Sequence, residues 1–147
     1  MHMHPDLAPC ACTALRKAAR AVSRVYDAAL GGAGMTTTQF AVLRTLDGGG
    51  AMPLSRLADL LVMDRTSLYR TIAPLARQGW VRIEAAPRGR TRIATLTTDG
   101  AAAMTAAVPA WEGAQGRIVA AFGPANWAAL AGSLREITGV AVREGAA

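Results

Sequence analysis

Apolar positions repeat with helical spacing along most of this chain. Between Thr13 and Leu30, the residues Leu15, Ala18, Val22, Val25 and Ala29 recur three and four apart, while Arg16, Lys17, Arg20 and Arg24 take other faces. That periodicity predicts an amphipathic helix, which Gly31, Gly32 and Gly34 end. Thr36 and Gln39 stand at capping-box spacing ahead of Phe40, Leu43 and Leu46, so a second helix opens there and stops at Asp47-Gly48-Gly49-Gly50. A short helix from about Leu54 to Val62 carries Leu57, Leu60 and Leu61. After a tight turn, Asp64 is placed to cap a further helix through Leu68, Ile72 and Leu75, ending near Gly79. Pro74 inside it removes one backbone donor and should bend the C-terminal half.

The period then shortens to two. Trp80-Val81-Arg82-Ile83-Glu84 and Thr91-Arg92-Ile93-Ala94-Thr95-Leu96 alternate apolar and polar residues around Pro87-Arg88-Gly89-Arg90, which reads as a hairpin with an arginine-loaded tip. Thr97-Thr98-Asp99 opens a long alanine-rich helix, bent at Pro109 and ending near Phe122. Gly123-Pro124 separates it from a last helix, where Trp127, Leu130, Leu134, Ile137 and Ala141 repeat the seam of the first. Narrow apolar stripes on both terminal helices are most simply buried against a second copy of the chain. Packing of the two helices on one another is the alternative.

The length of 147 residues fits one ordinary domain. An apolar fraction of 52% excludes a disordered protein, and two cysteines exclude a disulfide-framed mini-protein. No apolar run reaches spanning length and no signal peptide is visible, so a cytoplasmic protein with no membrane association is expected. Charge adds more. The net charge is +6. Between Ser55 and Thr95 lie Arg56, Arg65, Arg70, Arg77, Arg82, Arg88, Arg90 and Arg92 against Asp59, Asp64 and Glu84, which concentrates the surplus cation in one segment. Such a segment is a candidate polyanion contact.

The stretch from Leu54 to Ile72 fits helix-turn-helix spacing. Ala58 is small where two helices would cross, and Leu57, Leu61 and Leu68 are apolar where the pair must pack on the body. Asp64-Arg65-Thr66-Ser67 falls on the first turn of the second helix, which can present that turn to base edges while its free amides attract phosphate. Val62 occupies the turn where many such motifs have Gly. A cationic hairpin tip directly downstream can enter the adjacent minor groove.

With these residues in view, the sequence resembles the MarR family of winged-helix transcription regulators. The resemblance is carried by Met35-Thr36-Thr37-Thr38-Gln39-Phe40, Leu57-Ala58-Asp59-Leu60-Leu61, Asp64-Arg65-Thr66-Ser67-Leu68-Tyr69-Arg70, Gly79-Trp80-Val81 and Leu96-Thr97-Thr98-Asp99-Gly100. It implies a mainly α fold with a small two- to three-stranded β wing, a winged helix-turn-helix at 35–97 flanked by dimerisation helices at 13–34 and 98–147, and a flexible arm at 1–12. It further implies a homodimer on a pseudo-palindromic operator in double-stranded DNA, usually repressing transcription until a small ligand or an oxidant releases it. The wing departs from the family's Asp-x-Arg tip. Here Arg88-Gly89-Arg90 stands, so Arg90 keeps the minor-groove role without its carboxylate partner, and Arg88 can touch a phosphate instead.

The expected DNA contacts are Thr66, Ser67 and Arg70 at base edges or nearby phosphates, and Arg65 and Tyr69 at backbone or bases. Ser55 caps its helix or donates to a phosphate, and Arg92 contacts a phosphate or stays an exposed strand residue. Arg77 and Arg82 read as solvated surface. For sensing, Cys12 at the start of the first helix resembles the reactive cysteine of the family's organic-hydroperoxide branch, since a helix N-terminus favours the thiolate. That branch holds its thiolate with tyrosines where this chain has Thr37 and Phe40. Cys10 and Cys12 with His2 and His4 form only a weak metal signal, so no metal and no cofactor are expected. A small aromatic or amphipathic effector would be lined by Tyr26, Phe40, Met104 and Trp111, although aromatics at helical spacing commonly belong to a core. Both His lie in the first four residues, and no catalytic carboxylate pair, nucleophile elbow or phosphate-cradling loop exists, so enzyme function has no support. The competing class is a winged-helix module that binds protein rather than DNA.

Overall fold

A computed structural model describes residues 9–146 of the chain. Helix α1 spans Ala11–Leu30, α2 Thr37–Gly49, α3 Leu54–Leu61, α4 Arg65–Arg77, α5 Thr98–Phe122 and α6 Pro124–Ala146. Strands β1 (Met52–Pro53), β2 (Val81–Ala85) and β3 (Arg92–Leu96) form one antiparallel sheet in the order β1-β3-β2. Two compact units divide the described chain after Trp111.

Local chemistry sets most of these boundaries. At α2 the capping box is complete: the Gln39 amide donates to the Thr36 hydroxyl at 3.2 Å, and the Thr36 amide donates to Gln39 Oε1 at 3.0 Å. The next amide, Thr37 N–H, donates to Asp27 Oδ1 at 2.7 Å, which ties α1 to the start of α2. The first helix begins at Ala11, inside the segment 1–12 expected as an arm, of which residues 1–8 fall outside the described residues. Cys10 is the N-cap residue and Cys12 lies in the first turn. His2 and His4 fall outside the described residues.

The core lies in the first unit. Leu30, Val42, Leu43, Leu57, Leu75 and Ala94 are sealed from solvent, with Phe40, Leu68, Ile72 and Val81 nearly so. Truncating one of these leucines to Ala would cost about 2–5 kcal/mol. Ala58 is buried in α3, among the core side chains. The turn between α3 and α4 runs through Val62 in the left-handed region (φ 52, ψ 45), its N–H donating to Ala58 and Asp59 carbonyls. A β-branched residue there is strained, and the Met63 amide bond to Ala58 O at 2.9 Å helps hold it.

Strand β1 went unforeseen as a distinct element. Two residues, one of them proline, carry no readable alternation. They count as a strand only because Met52 and Pro53 pair with Ala94 and Ile93. In β2 and β3 the register sets Val81 opposite Leu96, Ile83 opposite Ala94 and Ala85 opposite Arg92. Directly opposed residues share a face, so Arg92 projects from the same face as buried Ala94, just past the core. Arg82 and Glu84 lie on the other face and pair at 2.7 Å. Thr97 fastens the base of the wing: its hydroxyl donates to Gly79 O at 2.6 Å and accepts from the Gly100 amide at 3.0 Å.

The terminal helices look different. In α1 only Tyr26 and Leu30 are buried, while Leu15 (37%) and Val22 (40%) of the seam are open. No residue of α6 is buried, and Leu130, Ile137, Val140 and Val142 are exposed. Among the described residues no helix is long and apolar enough to cross a membrane.

Candidate nucleic-acid interface

Helix α4 presents its N-terminal turn because Asp64 closes it. The Asp64 carboxylate accepts from the Ser67 amide (Oδ1, 2.8 Å) and from the Ser67 hydroxyl (Oδ2, 2.8 Å). These two bonds hold the Asp64 carboxyl below its ordinary pKa, the backbone bond contributing most. The Ser67 proton is therefore committed inside the protein, which leaves that hydroxyl as an acceptor. Thr66 and Arg70 are exposed on the same helix, and Arg88 is exposed on the loop between β2 and β3.

A cavity of about 300 Å³ forms where α3, α4 and the wing meet. Its walls include Ser55 from α3, Arg65 and Tyr69 from α4, and Arg90 and Arg92 from the wing. Five of the nine sequence-predicted contacts are thus gathered around one concave surface. Three are guanidinium groups, no carboxylate lines the wall, and none of the three makes a salt bridge among the described residues. Pro53, Leu54, Leu68 and Thr91 complete the lining and were not anticipated there, Pro53 because β1 itself was not. Ser67 instead borders a separate hollow with Thr37, Thr38, Val62 and Asp64.

The wing tip turns through Gly89 at φ 78, a conformation that suits glycine. It places Arg88 and Arg90 on either side of the turn. A carboxylate partner for Arg90 is absent among the described residues, as the Arg88-Gly89-Arg90 sequence implies.

The sensing candidates fall into two environments. Cys10 and Cys12 are both exposed free thiols. Thr13, through its side chain first and its backbone second, holds the Cys10 thiol below its ordinary pKa. Tyr26, Phe40 and Met104 are buried and Trp111 is half-buried. The Phe40 and Trp111 rings lie 6.0 Å apart, with the Arg44 guanidinium 4.9 Å from the Trp111 centroid and 5.8 Å from that of Phe40. Burial raises the Tyr26 hydroxyl pKa. Arg44, which sequence reasoning passed over, is the charged group against Phe40 and Trp111. Its i, i+4 spacing from Phe40 was the available signal. No cluster of three or more metal-ligating side chains exists among the described residues.

Comparison with known proteins fits this geometry. Residues 33–90 match the MarR family model. The M. tuberculosis transcriptional regulator MOSR, solved in complex with DNA, is 34% identical at a TM-score of 0.82, over 91% of this chain and 97% of that one. A mutant MarR from E. coli, complexed with operator DNA, shares the fold at 20% identity and a TM-score of 0.75, over 85% of this chain and 91% of that one. So does the PcaV regulator from Streptomyces coelicolor in complex with its natural ligand, at 18% identity and a TM-score of 0.79, over 95% and 99% of the two chains. Among curated proteins no match is found. With a helix-turn-helix, a three-stranded wing and a full-length relative of this similarity, the chain belongs to the MarR family of DNA-binding winged-helix transcriptional regulators.

Proposed function

We infer that this protein is a homodimeric transcriptional repressor that binds a pseudo-palindromic operator and leaves it when an effector or oxidant acts. The observation that carries this reading is the carboxylate-free cavity shared by Ser55, Arg65, Tyr69, Arg90 and Arg92. Phosphate is the anion such a surface suits, and the exposed Thr66 and Arg70 beside it supply groups able to read base edges in a major groove. Arg90 at the wing tip takes the flanking minor groove and Arg88 a phosphate. Exposed apolar residues on α1 and α6 support pairing with a second copy, which sets two recognition helices about one helical turn of DNA apart. The helices at 13–34 and 98–147 then serve dimerisation and 35–97 serves DNA.

Release by an oxidant is supported by the exposed Cys10 thiol with its favoured thiolate, beside Cys12 in the first turn of α1. Asp27 links that helix to the start of α2, so a displaced α1 would be felt by the DNA-binding unit. A small aromatic or amphipathic effector would have to part Phe40 and Met104 of the core cluster and Trp111 packed against it, with Tyr26 buried outside that cluster.

Fluorescence anisotropy on a duplex of the gene's own upstream region, against a scrambled duplex over a salt series, tests the reading. Preference for the upstream region with a steep loss of affinity in salt is expected. Arg90→Ala should weaken binding to both duplexes and flatten the salt slope, whereas Arg70→Ala should alter the preference between them. Equal binding to both duplexes by the wild-type protein would favour a protein-interaction module.

A further inference from the structure

A second basic cleft runs along α4 toward its C-terminal end. Ala73 and Ala76 form its helical wall, side chains too short to fill it, and Gly79 sits at its end with nothing within 4 Å of where a Cβ would stand. Arg77 and Arg92 line it, and Arg82, whose side chain leaves the opposite face of the edge strand β2 beside Glu84, borders its rim. Arg92 also lines the cavity that holds Arg65 and Arg90, so the two cationic surfaces are continuous. Among the described residues one carboxylate pairs with this charge: Glu84, whose Oε1 is 2.7 Å from Arg82 Nε in an exposed pair.

We propose that the cleft of Arg77, Arg82 and Arg92 is a second phosphate site for double-stranded DNA, and that Glu84 is a counter-charge that weakens it. The proposal rests on the DNA-binding reading above and deepens it. If α4 occupies a major groove and the wing tip the neighbouring minor groove, the sugar-phosphate strand separating the two grooves has to pass between helix and wing. Arg92 projects from the core-facing side of the sheet into that gap, since it shares a face with buried Val81 and Ala94. Each strand carries one phosphate per about 3.4 Å of duplex axis, so a strand lying on Arg92 presents further phosphates along the same cleft, toward Arg77 and, at the rim, Arg82. An acidic protein segment would satisfy the charge equally. Continuity with the cavity at the recognition turn favours DNA.

The test uses the full chain and a fluorescein-labelled duplex of its own upstream region, with a scrambled duplex as control, titrated over a salt series. Arg77→Gln and Arg82→Gln should each weaken both duplexes alike and reduce the log–log salt slope by about one for every phosphate released from the protein, hence about two in a homodimer. Glu84→Gln should act in the opposite direction, tightening binding about two- to five-fold, as expected for the counter-charge of an exposed pair. Opposite signs from two exposed neighbouring positions cannot come from misfolding. Wild-type affinity and slope in Arg77→Gln and Glu84→Gln, with Arg65→Gln still impaired, would overturn the second site and leave the DNA-binding reading intact. Absence of any duplex preference in the wild-type protein would remove both.

Discussion

Gly100, in the first turn of α5, separates two physical effects of opposite sign. In a helix interior, Ala is favoured over Gly by about 1 kcal/mol, and by less in a first turn. Propensity alone therefore makes Gly100→Ala stabilising. The structure says otherwise. Gly100 is buried, and a methyl group there would collide with the Trp80 carbonyl oxygen, while its carbon would lie 2.8 Å from the Trp80 carbonyl carbon and 2.8 Å from Leu96 Cδ1. Backbone cannot rotate away as a side chain can, so α5 would have to move against the start of β2. That movement strains the Thr97 N–H bond to Trp80 O at 3.1 Å and the Thr97 hydroxyl bond to Gly79 O. Overpacking of this kind costs about 1–3 kcal/mol, and a weakened hydrogen bond adds about 1. A net destabilisation of roughly 2 kcal/mol is expected, or about 4–8 °C in Tm at this chain length. Urea and thermal unfolding followed by circular dichroism, at fixed protein concentration, measure it. Gly48→Ala is the control, because a Cβ there meets nothing within 4 Å. A Gly100→Ala protein as stable as the wild type, or more so, would refute the close approach between α5 and the wing.

Three further outcomes follow from the same structure. Ile137→Glu places a charge on the open apolar stripe of α6, where no residue is buried; on the proposed dimer, size-exclusion chromatography with light scattering should show a dimer for the wild type and a monomer for the variant at the same concentration. Because the Asp64 carboxyl has a depressed pKa in the folded state, its stabilising contribution is present above the unfolded value of about 3.9 and is lost as pH falls through the lower folded value. Wild type and Asp64→Asn should therefore differ in urea midpoint near neutral pH and converge in strong acid. The Cys10 thiol, held down by Thr13, should be alkylated by iodoacetamide with a pH midpoint below the ordinary thiol value of about 8.5, and Thr13→Ala should move that midpoint up.

What could be read from the sequence was what neighbouring residues decide among themselves. The Thr36–Gln39 capping box, the Asp64 cap, the hairpin around Gly89 and the seams of α1 and α6 each depend on side chains within one or two helical turns, and each stands close to its expected place. The charge surplus between Ser55 and Thr95 was visible for the same reason: it is a property of the segment, whatever its shape. Relations across long stretches of chain were hidden. Nothing local marks Met52 and Pro53 as a strand until Ala94 and Ile93 lie beside them, and nothing local ties Asp27 to the Thr37 amide. Thr66, Ser67 and Arg65 are adjacent in sequence, yet Ser67 faces a different hollow from Arg65, with its proton held by Asp64. Arg77 and Arg82 read as isolated solvated charges until the packing of α4 on the sheet brought Arg77 and Arg92 to one cleft with Arg82 at its rim. Helix periods and caps are fixed by bonds a few residues long, whereas the meeting of three guanidinium groups is fixed by which faces the core buries, and only the packed tertiary structure decides that.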